Sequence, residues 1–448
     1  MKTVHEPARD VPVVADADVV VVGGGPAGIA AAVAAARNGA RTMILERYGY
    51  LGGLASGGMV LLLDDMCDRG GRTVGGIGHE IVERMAAAGG CVVPPLEECF
   101  RQDEELWWKW ARWGFEDFYA RVQPHPTTYG ASFDPEVWKQ ISNEMALGAG
   151  VTLRMHSWFS RPVVEDGRMH AVVVETKEGR QAVEGRLFID ATGDGDVYAG
   201  AGAPHIKGSY MMTLVHRLAD VDTARATRFE REHPEEAKRL NHQVKQIFGA
   251  SWDLWWLHTP RDGVIWCNTP HIHGLDGLRV EDLTRLEVEA RQRFVRAAAW
   301  LREHFPGFER SYVLDAAPQA GVRQTRLLLG EYVLTKEDIV ERRTFPDVIG
   351  RGRDYYMPYR SLLPVGVDGL LVAGRHYSAT PEAQKISREI PPCMVMGEAA
   401  GTAAAIAVGK SLEPRRVDVG ELQERLAAQG AILGAPIANT ARYGAAGS

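Results

Sequence analysis

The stretch DVVVVGGGPAG, residues 18–28, decides the fold. Val19 to Val22 is a short apolar run of the kind that forms a buried parallel strand. It ends in glycines spaced G-x-G-x-x-G at Gly23, Gly25 and Gly28, with Pro26 and Ala27 between the last two. An Ala-rich helix is predicted over Ala27 to Arg37. Glycine at these positions permits a tight turn, close approach of backbone to a pyrophosphate, and close packing of helix on strand. The helix start adds unpaired N–H groups and a partial positive charge. A second strand, Thr42 to Leu45, delivers Glu46 eighteen residues after Gly28, placed to accept the hydroxyls of a ribose. The residues therefore imply a bound dinucleotide.

Composition narrows what surrounds this unit. The 448 residues suffice for two or three compact units, and 45% are apolar. A net charge of -7 argues against nucleic acid as a partner. The five cysteines contain no C-x-x-C pair, which argues against a dithiol redox mechanism and suits a reducing cytoplasm. No signal peptide is read at the N-terminus, and no apolar run is read as a membrane span. His271-x-His273 has no third ligand nearby, so no metal is expected.

Further along, Pro135 follows Asp134 at the predicted start of an amphipathic helix ending at Gly148. Val151 to Phe159, Met169 to Thr176 and Gln181 to Glu184 read as a three-stranded antiparallel meander turned at Asp166-Gly167 and Glu178-Gly179. Arg186 to Asp190 reads as a fresh buried strand ending in DATGDGD. A long charged helix is predicted over Val280 to His304, a buried strand over Gly369 to Ala373, and an Ala-rich helix from Pro391-Pro392 to Val408. A last helix runs from Val419 to Gln429. Two Trp-rich stretches, LWWKWARWGF at 106–115 and WDLWW at 252–256, read equally as cap core, as a stacking surface for substrate, or as a partner surface.

Five ordered segments, at 19–32, 45–58, 187–204, 321–338 and 370–405, together resemble the bacterial FAD-dependent oxidoreductases of the glutathione-reductase-like superfamily, relatives of fumarate-reductase-type flavoproteins. The resemblance implies an α/β fold: a Rossmann-like FAD-binding parallel sheet with a β-meander, and a mixed α+β substrate cap inserted in it. The expected FAD domain is discontinuous, 16–60, 133–202 and 356–448; the cap takes 61–132 and 203–355, and residues 1–15 form an arm. Gly52, Gly53 and Ser56 are then expected along the pyrophosphate and flavin edge, and Ala191, Thr192, Gly193 and Asp194 over the ribose and phosphates. Gly374 and Arg375 follow a strand expected against the flavin. Arg47 is open between adenine, phosphate and solvent.

The helix start at Pro391, Pro392, Cys393 and Met394 would aim its dipole at the flavin N1/C2 edge and favour the anionic reduced ring. Cys393 itself reads as inert packing. His376 and Tyr377 are candidates for catalysis, His376 either as a base or as a structural residue. Arg323, Arg326 and Arg388 read as anion clamps or as salt-bridge partners, and a cluster of arginines meeting in the cap, with these three as the candidates, would favour an ene-reductase acting on dicarboxylates. The stretch Leu51 to Ser56 holds no histidine for covalent attachment, and His79 lies beyond it, so FAD is expected to be non-covalent.

A single G-x-G-x-x-G leaves no second nucleotide domain. The expected activity is hydride transfer from a small organic substrate to flavin N5. The flavin would be reoxidised by oxygen, a quinone, a carrier protein or a second organic substrate. A flavin-carrying subunit of a larger complex is the reading from another class. The expected setting is cytoplasmic, without nucleic acid or membrane span, and with homo-oligomers allowed.

Overall fold

The chain is described by a computed structural model covering residues 2–435 and the short strand Ile437–Ala438. Met1, residue 436 and residues 439–448, the end of the expected 356–448 segment, lie outside the described residues.

The apolar run of residues 19–22 is the C-terminal half of β1, Val13–Val22. Val13 already pairs with Ala182, so the N-terminal arm stops at Pro12 rather than at residue 15. Next come β2 (Thr42–Leu45), β3 (Thr152–Arg154), β4 (Trp158–Glu165), β5 (Arg168–Thr176), β6 (Gly179–Asp190) and β7 (Leu370–Val372). They form one sheet in the order β3-β2-β1-β6-β5-β4, with β7 also paired to β6. The pairs among β3, β2, β1 and β6, and that of β6 with β7, are parallel. The β4-β5-β6 ladders are antiparallel.

Two readings of the meander are corrected here. The chain at 151–159 holds two strands, and β3 is a parallel edge strand on the far side of the sheet. Residues 181–184 and 186–190 form one continuous strand. Gly185 reads as a break, yet it sits mid-strand because a Cβ there would strike the ring of Phe188 and the side chain of Val20. The long β6 therefore serves the meander with its first half and the parallel sheet with its second.

Four helices cover or flank the sheet: α1 (Pro26–Arg37), α2 (Gly76–Ala87), α3 (Pro135–Gly148) and α4 (Ile390–Lys410). Asp134 caps α3, accepting the Glu136 N–H at 2.8 Å, with Pro135 in the first turn. Helices α1 and α4 meet at backbone distance. A Cβ on Gly397 would drive into the Ala27 carbonyl oxygen, and one on Gly401 into that of Ala31. Helix α2 comes from the 61–132 segment assigned to the cap, but it packs on the nucleotide side. Glu398 of α4 accepts the Ile77 N–H at 3.0 Å, at the start of α2. Helix α4 is long and apolar enough to cross a membrane by length and composition, contrary to the reading of the sequence, but 94% of its apolar window is buried inside the fold.

The segment 203–355 contributes a separate four-stranded antiparallel sheet. Its order is Trp256–His258, Ile265–Cys267, His216–Ala219, Tyr312–Ala316, and the helix Val280–His304 lies in the same segment. Of the seven tryptophans in the Trp-rich stretches, three are buried and four are half-buried. Trp255 and Trp256 are fully buried and Trp110 nearly so, and the Trp107 and Trp110 indoles donate to Glu116 and Glu98.

The helix contact gives two stability tests. Gly401→Ala should destabilise the protein by about 1–3 kcal/mol through overpacking. Gly409→Ala, in the same helix with nothing within 4 Å, should be neutral or stabilising. Denaturant titration of both variants separates packing from helix propensity. Burial pushes the Glu398 carboxyl up to about 7. Its stabilising share is therefore complete below the unfolded carboxylate range and is lost as pH rises through 7. The stability of Glu398→Gln relative to wild type should then climb between pH 4.5 and 7 and level off above, by no more than about 1.4 kcal/mol per pH unit.

Candidate functional site

Because β1, β2, β6 and β7 run parallel, their C-terminal ends open on one edge of the sheet. A cavity of about 690 Å³ lies there, the usual place for a ligand in such a sheet. Each wall follows from a strand end. Gly23, Gly25, Pro26 and Ala27 follow β1; Glu46, Arg47 and Tyr48 follow β2; Ala191, Thr192 and Gly193 follow β6; Gly374 and Arg375 follow β7.

The glycines of the first turn do different jobs. Gly23 has φ +105°, and a Cβ on Gly28 would collide with its carbonyl oxygen, so Gly28 seats helix on strand without lining the cavity. Gly25 would meet only the Gly53 Cα, at 3.9 Å. Its open face is the space a ligand backbone would take. Helix α1 begins there with no side-chain cap and no acidic residue in its first turn. Its free N–H groups suit a phosphate. Across the cavity, the Arg375 guanidinium bonds Asp194 Oδ1 at 2.9 Å, and its buried Nε has no partner among the described residues. Arg326 holds the Asp194 carbonyl and Asp196, both at 2.9 Å. A bare glycine face, a free helix start and an unpaired guanidinium nitrogen fit an elongated dinucleotide with an anionic centre.

Glu46 is buried and accepts the Gly24 N–H at 2.6 Å and the Tyr48 N–H at 2.8 Å. Burial raises its carboxyl above the usual range against the pull of those two groups. Arg47 lies 5.0 Å from the Tyr48 ring centre and 5.5 Å from that of Trp158. Ser157 through Ser160, at the start of β4, complete this wall. In the sequence these residues read only as meander, and the aromatic pair Trp158-Phe159 is what marks them.

At the other end stand Val60, Gln319, Arg388, Glu389, Ile390 and Cys393. Arg388 and Glu389 are ion-paired at 2.9 Å. Asp64 is tied electrostatically to Glu389 and Arg388; burial, then the Glu389 charge, push its carboxyl up to about 7. Burial raises the Cys393 thiol to about 12, and its Sγ donates to the Arg388 carbonyl, so it is an inert packing group.

Several expected site residues stand elsewhere. Pro392 and Met394 do not line the cavity; they face into the buried first turn of α4. Prolines at 391 and 392 carry no N–H, so this helix start offers fewer donors than a usual one. Gly52 and Ser56 lie behind the wall: Ser56 Oγ donates to the Leu51 carbonyl at 2.7 Å, and a Cβ on Gly52 would strike Ser56 and Trp138. Asp194 serves the site from behind, through Arg375 and Thr325.

The catalytic candidates change most. His376 is fully buried, its Nε2 donating to Asp190 Oδ1 at 3.1 Å and its ring stacked 5.7 Å from that of Tyr198. Tyr377 is buried against Ser387 Oγ at 2.6 Å. The turn at Gly374, φ +122°, sends Arg375 to the cavity and the next two side chains inward. His376 therefore steadies Asp190, which also accepts from Thr192, Val197 and Tyr198. Burial opposes the Asp190 charge, but these donors hold its carboxyl below the usual range. Arg323 does not line the cavity, and of the three arginines only Arg323 and Arg388 converge, on the Tyr210 ring. Among the described residues no group of three or more metal-ligating side chains occurs.

The two glycines separate fold from binding. Gly28→Ala should lower stability with or without ligand. Gly25→Ala should leave the melting of the ligand-free chain in place, yet weaken dinucleotide affinity at least about tenfold, a loss of about 1.4 kcal/mol. Equilibrium dialysis beside a thermal melt reads both.

The sequence profile of the family described as FAD dependent oxidoreductase matches residues 18–353 and 351–426. No curated protein sequence matches the chain. Similar solved structures include a geranylgeranyl bacteriochlorophyll reductase-like protein from Thermoplasma acidophilum, at 14% identity and TM-score 0.46, over 92% of this chain and 83% of that one. The p-nitrophenol 4-monooxygenase PnpA of Pseudomonas putida aligns at 12% identity and TM-score 0.47, over 92% and 84%. An L-amino acid deaminase from Proteus vulgaris aligns at 15% and 0.41, over 93% and 94%. With its profile running from the first β-strand into the last helix, this chain belongs to the FAD dependent oxidoreductase family and is an FAD-dependent enzyme.

Proposed function

We propose that the enzyme is a dehydrogenase or oxidase that takes a hydride from a small organic substrate, with FAD held non-covalently in the cavity at the strand ends. The observation that carries this reading is the cavity itself. It joins a dinucleotide-binding turn at Gly23 to Ala27 to a cap-facing end built by Gln319, Arg388 and Glu389. Bound there, FAD supplies a two-electron acceptor.

In this reading the first turn of α1 and Arg375 hold the pyrophosphate, Glu46 takes the adenosine ribose, and Arg47 with Trp158 borders the adenine. Gly53 and the Ala191–Gly193 turn keep the backbone close. At the cap end, Glu389 takes the proton that the substrate gives up and shares it with Asp64, which stands behind the cavity lining. Arg388 orients Glu389 through their ion pair. Reoxidation falls to oxygen, a quinone, a carrier protein or a second organic substrate. The work is done in the cytoplasm, by a monomer or homo-oligomer. The reverse reaction, reduction of an activated double bond, uses the same groups, and the convergence of Arg323 with Arg388 favours keeping it as the second reading.

The visible spectrum of the purified protein tests the core of this reading. A two-band flavin spectrum, with FAD freed to the supernatant on heating, is expected; a colourless protein that takes up no added FAD overturns it. Anaerobic bleaching by candidate substrates then reads the direction. The bleaching rate should rise with pH through about 7 as the Asp64 carboxyl loses its proton. Asp64→Asn should flatten that rise while leaving the bound flavin in place.

A further inference from the structure

Beside the cavity, the half-buried ring of Tyr210 is surrounded by cations. Lys385 Nζ lies 5.1 Å from its centre, and the guanidinium carbons of Arg323 and Arg388 each lie 5.8 Å away. Such crowding of like charge costs free energy unless a counter-charge arrives. Arg388 has Glu389. Arg323 makes no ion pair among the described residues; its Nη2 reaches only the neutral Thr213 Oγ1 at 3.1 Å and Asn268 Oδ1 at 3.3 Å. Burial and the Arg388 charge lower its pKa to about 10, so the fold works against this cation.

A second group nearby is also left short of a partner. His271 is 2% exposed, and its Nδ1 accepts the Ser251 N–H at 2.9 Å, which puts its proton on Nε2. That Nε2 is buried and has no partner among the described residues. Burial, with Arg323 and His273 nearby, lowers its pKa to about 3 and keeps the ring neutral. The His271 ring centre lies 4.1 Å from that of Trp252, and Arg323 stands 5.5 Å over the same indole. The Arg388 Nε is likewise buried without a partner. Two buried donors left without partners among the described residues, the Arg323 cation and two aromatic rings thus form one connected group beside the cavity end.

We propose that Arg323, Arg388 and the His271 Nε2–H form an anion-binding subsite, and that the substrate is a small organic carboxylate whose carbon frame lies along the rings of Tyr210 and Trp252. Guanidinium matches a carboxylate with two parallel hydrogen bonds, and the rings exclude water around it. The oxidoreductase reading supplies only what happens to the bound carboxylate; the binding itself stands without it.

The test is a tryptophan-fluorescence titration of the full chain, both FAD-loaded and FAD-free, with benzoate and its neutral isostere benzamide. Trp252→Phe assigns the signal among the eleven tryptophans. Benzoate should bind at least about tenfold more tightly than benzamide, the difference expected of a charge-assisted pair. Arg323→Met should erase that preference, Arg323→Lys should keep part of it, and Lys385→Met, on the exposed rim, should weaken it a few-fold. If Arg323→Met fails to melt cooperatively, the other two variants decide. Equal binding of benzoate and benzamide by wild type overturns the proposal. So does displacement of benzoate by inorganic phosphate at equal concentration, which assigns the subsite to phosphoesters. A colourless protein that prefers benzoate would sink the flavoenzyme reading and keep the subsite. A yellow protein indifferent to benzoate would do the reverse.

Discussion

The site rests on one buried carboxylate. Asp190, at the end of β6, has no arginine or lysine partner among the described residues; it is held by Thr192, by the N–H groups of Val197 and Tyr198, and by His376. A charge so deep is tolerated only when its acceptor positions are filled. Filling them draws three pieces of chain to one point: the strand end, the short helix Asp196–Gly200, and the turn that follows β7. The Thr192–Gly193 wall and the Arg375 side chain stand where they do because Asp190 fixes both segments from behind. A Cβ on Gly193 would collide with the Arg375 guanidinium, so the two walls are closed to within one atom of each other.

The parts of the molecule governed by local rules could be read from the sequence. Gly23, Gly25 and Gly28, Glu46 after β2, and Pro135 after Asp134 each act through neighbours a few residues away or through a strand next in order. The Ala-rich helix from residue 390 was legible for the same reason. What was missed depends on direction or on distance along the chain. His376 and Tyr377 adjoin Arg375, but the positive φ of Gly374 turns them into the core. Gly185 looks like a strand terminator until Phe188 is seen filling the space above it. Ser157 to Ser160 gain their place from β2, more than a hundred residues earlier, through the parallel neighbour β3.

The cap shows the same limit more strongly. Tyr210, Trp252, His271, Arg323 and Arg388 come from segments with no shared local pattern, and only the folded chain brings them together. In the stretch 252–256, Trp255 Nε1 donates to Asn241 at 2.7 Å; elsewhere in the cap, Trp266 Nε1 donates to the Met59 carbonyl, which ties the cap to the loop after Gly58. Sequence reading weighed three arginines together, yet Arg326 was claimed by Asp194 and Asp196.

The backbone-close seam between α1 and α4 joins residues 26–37 to residues 390–410. During synthesis, the opening helix leaves the ribosome with the face that will meet Gly397 and Gly401, at Ala27 and Ala31, uncovered. At roughly 5–20 residues per second, the matching helix follows only after about 20–70 seconds. Until then α1 has β1, β2, α2 and α3 to pack against and lacks the close contact with α4. The seam is therefore closed only after the cap has been made, and the α1 face at Ala27 and Ala31 stays open in proportion to the length of the cap.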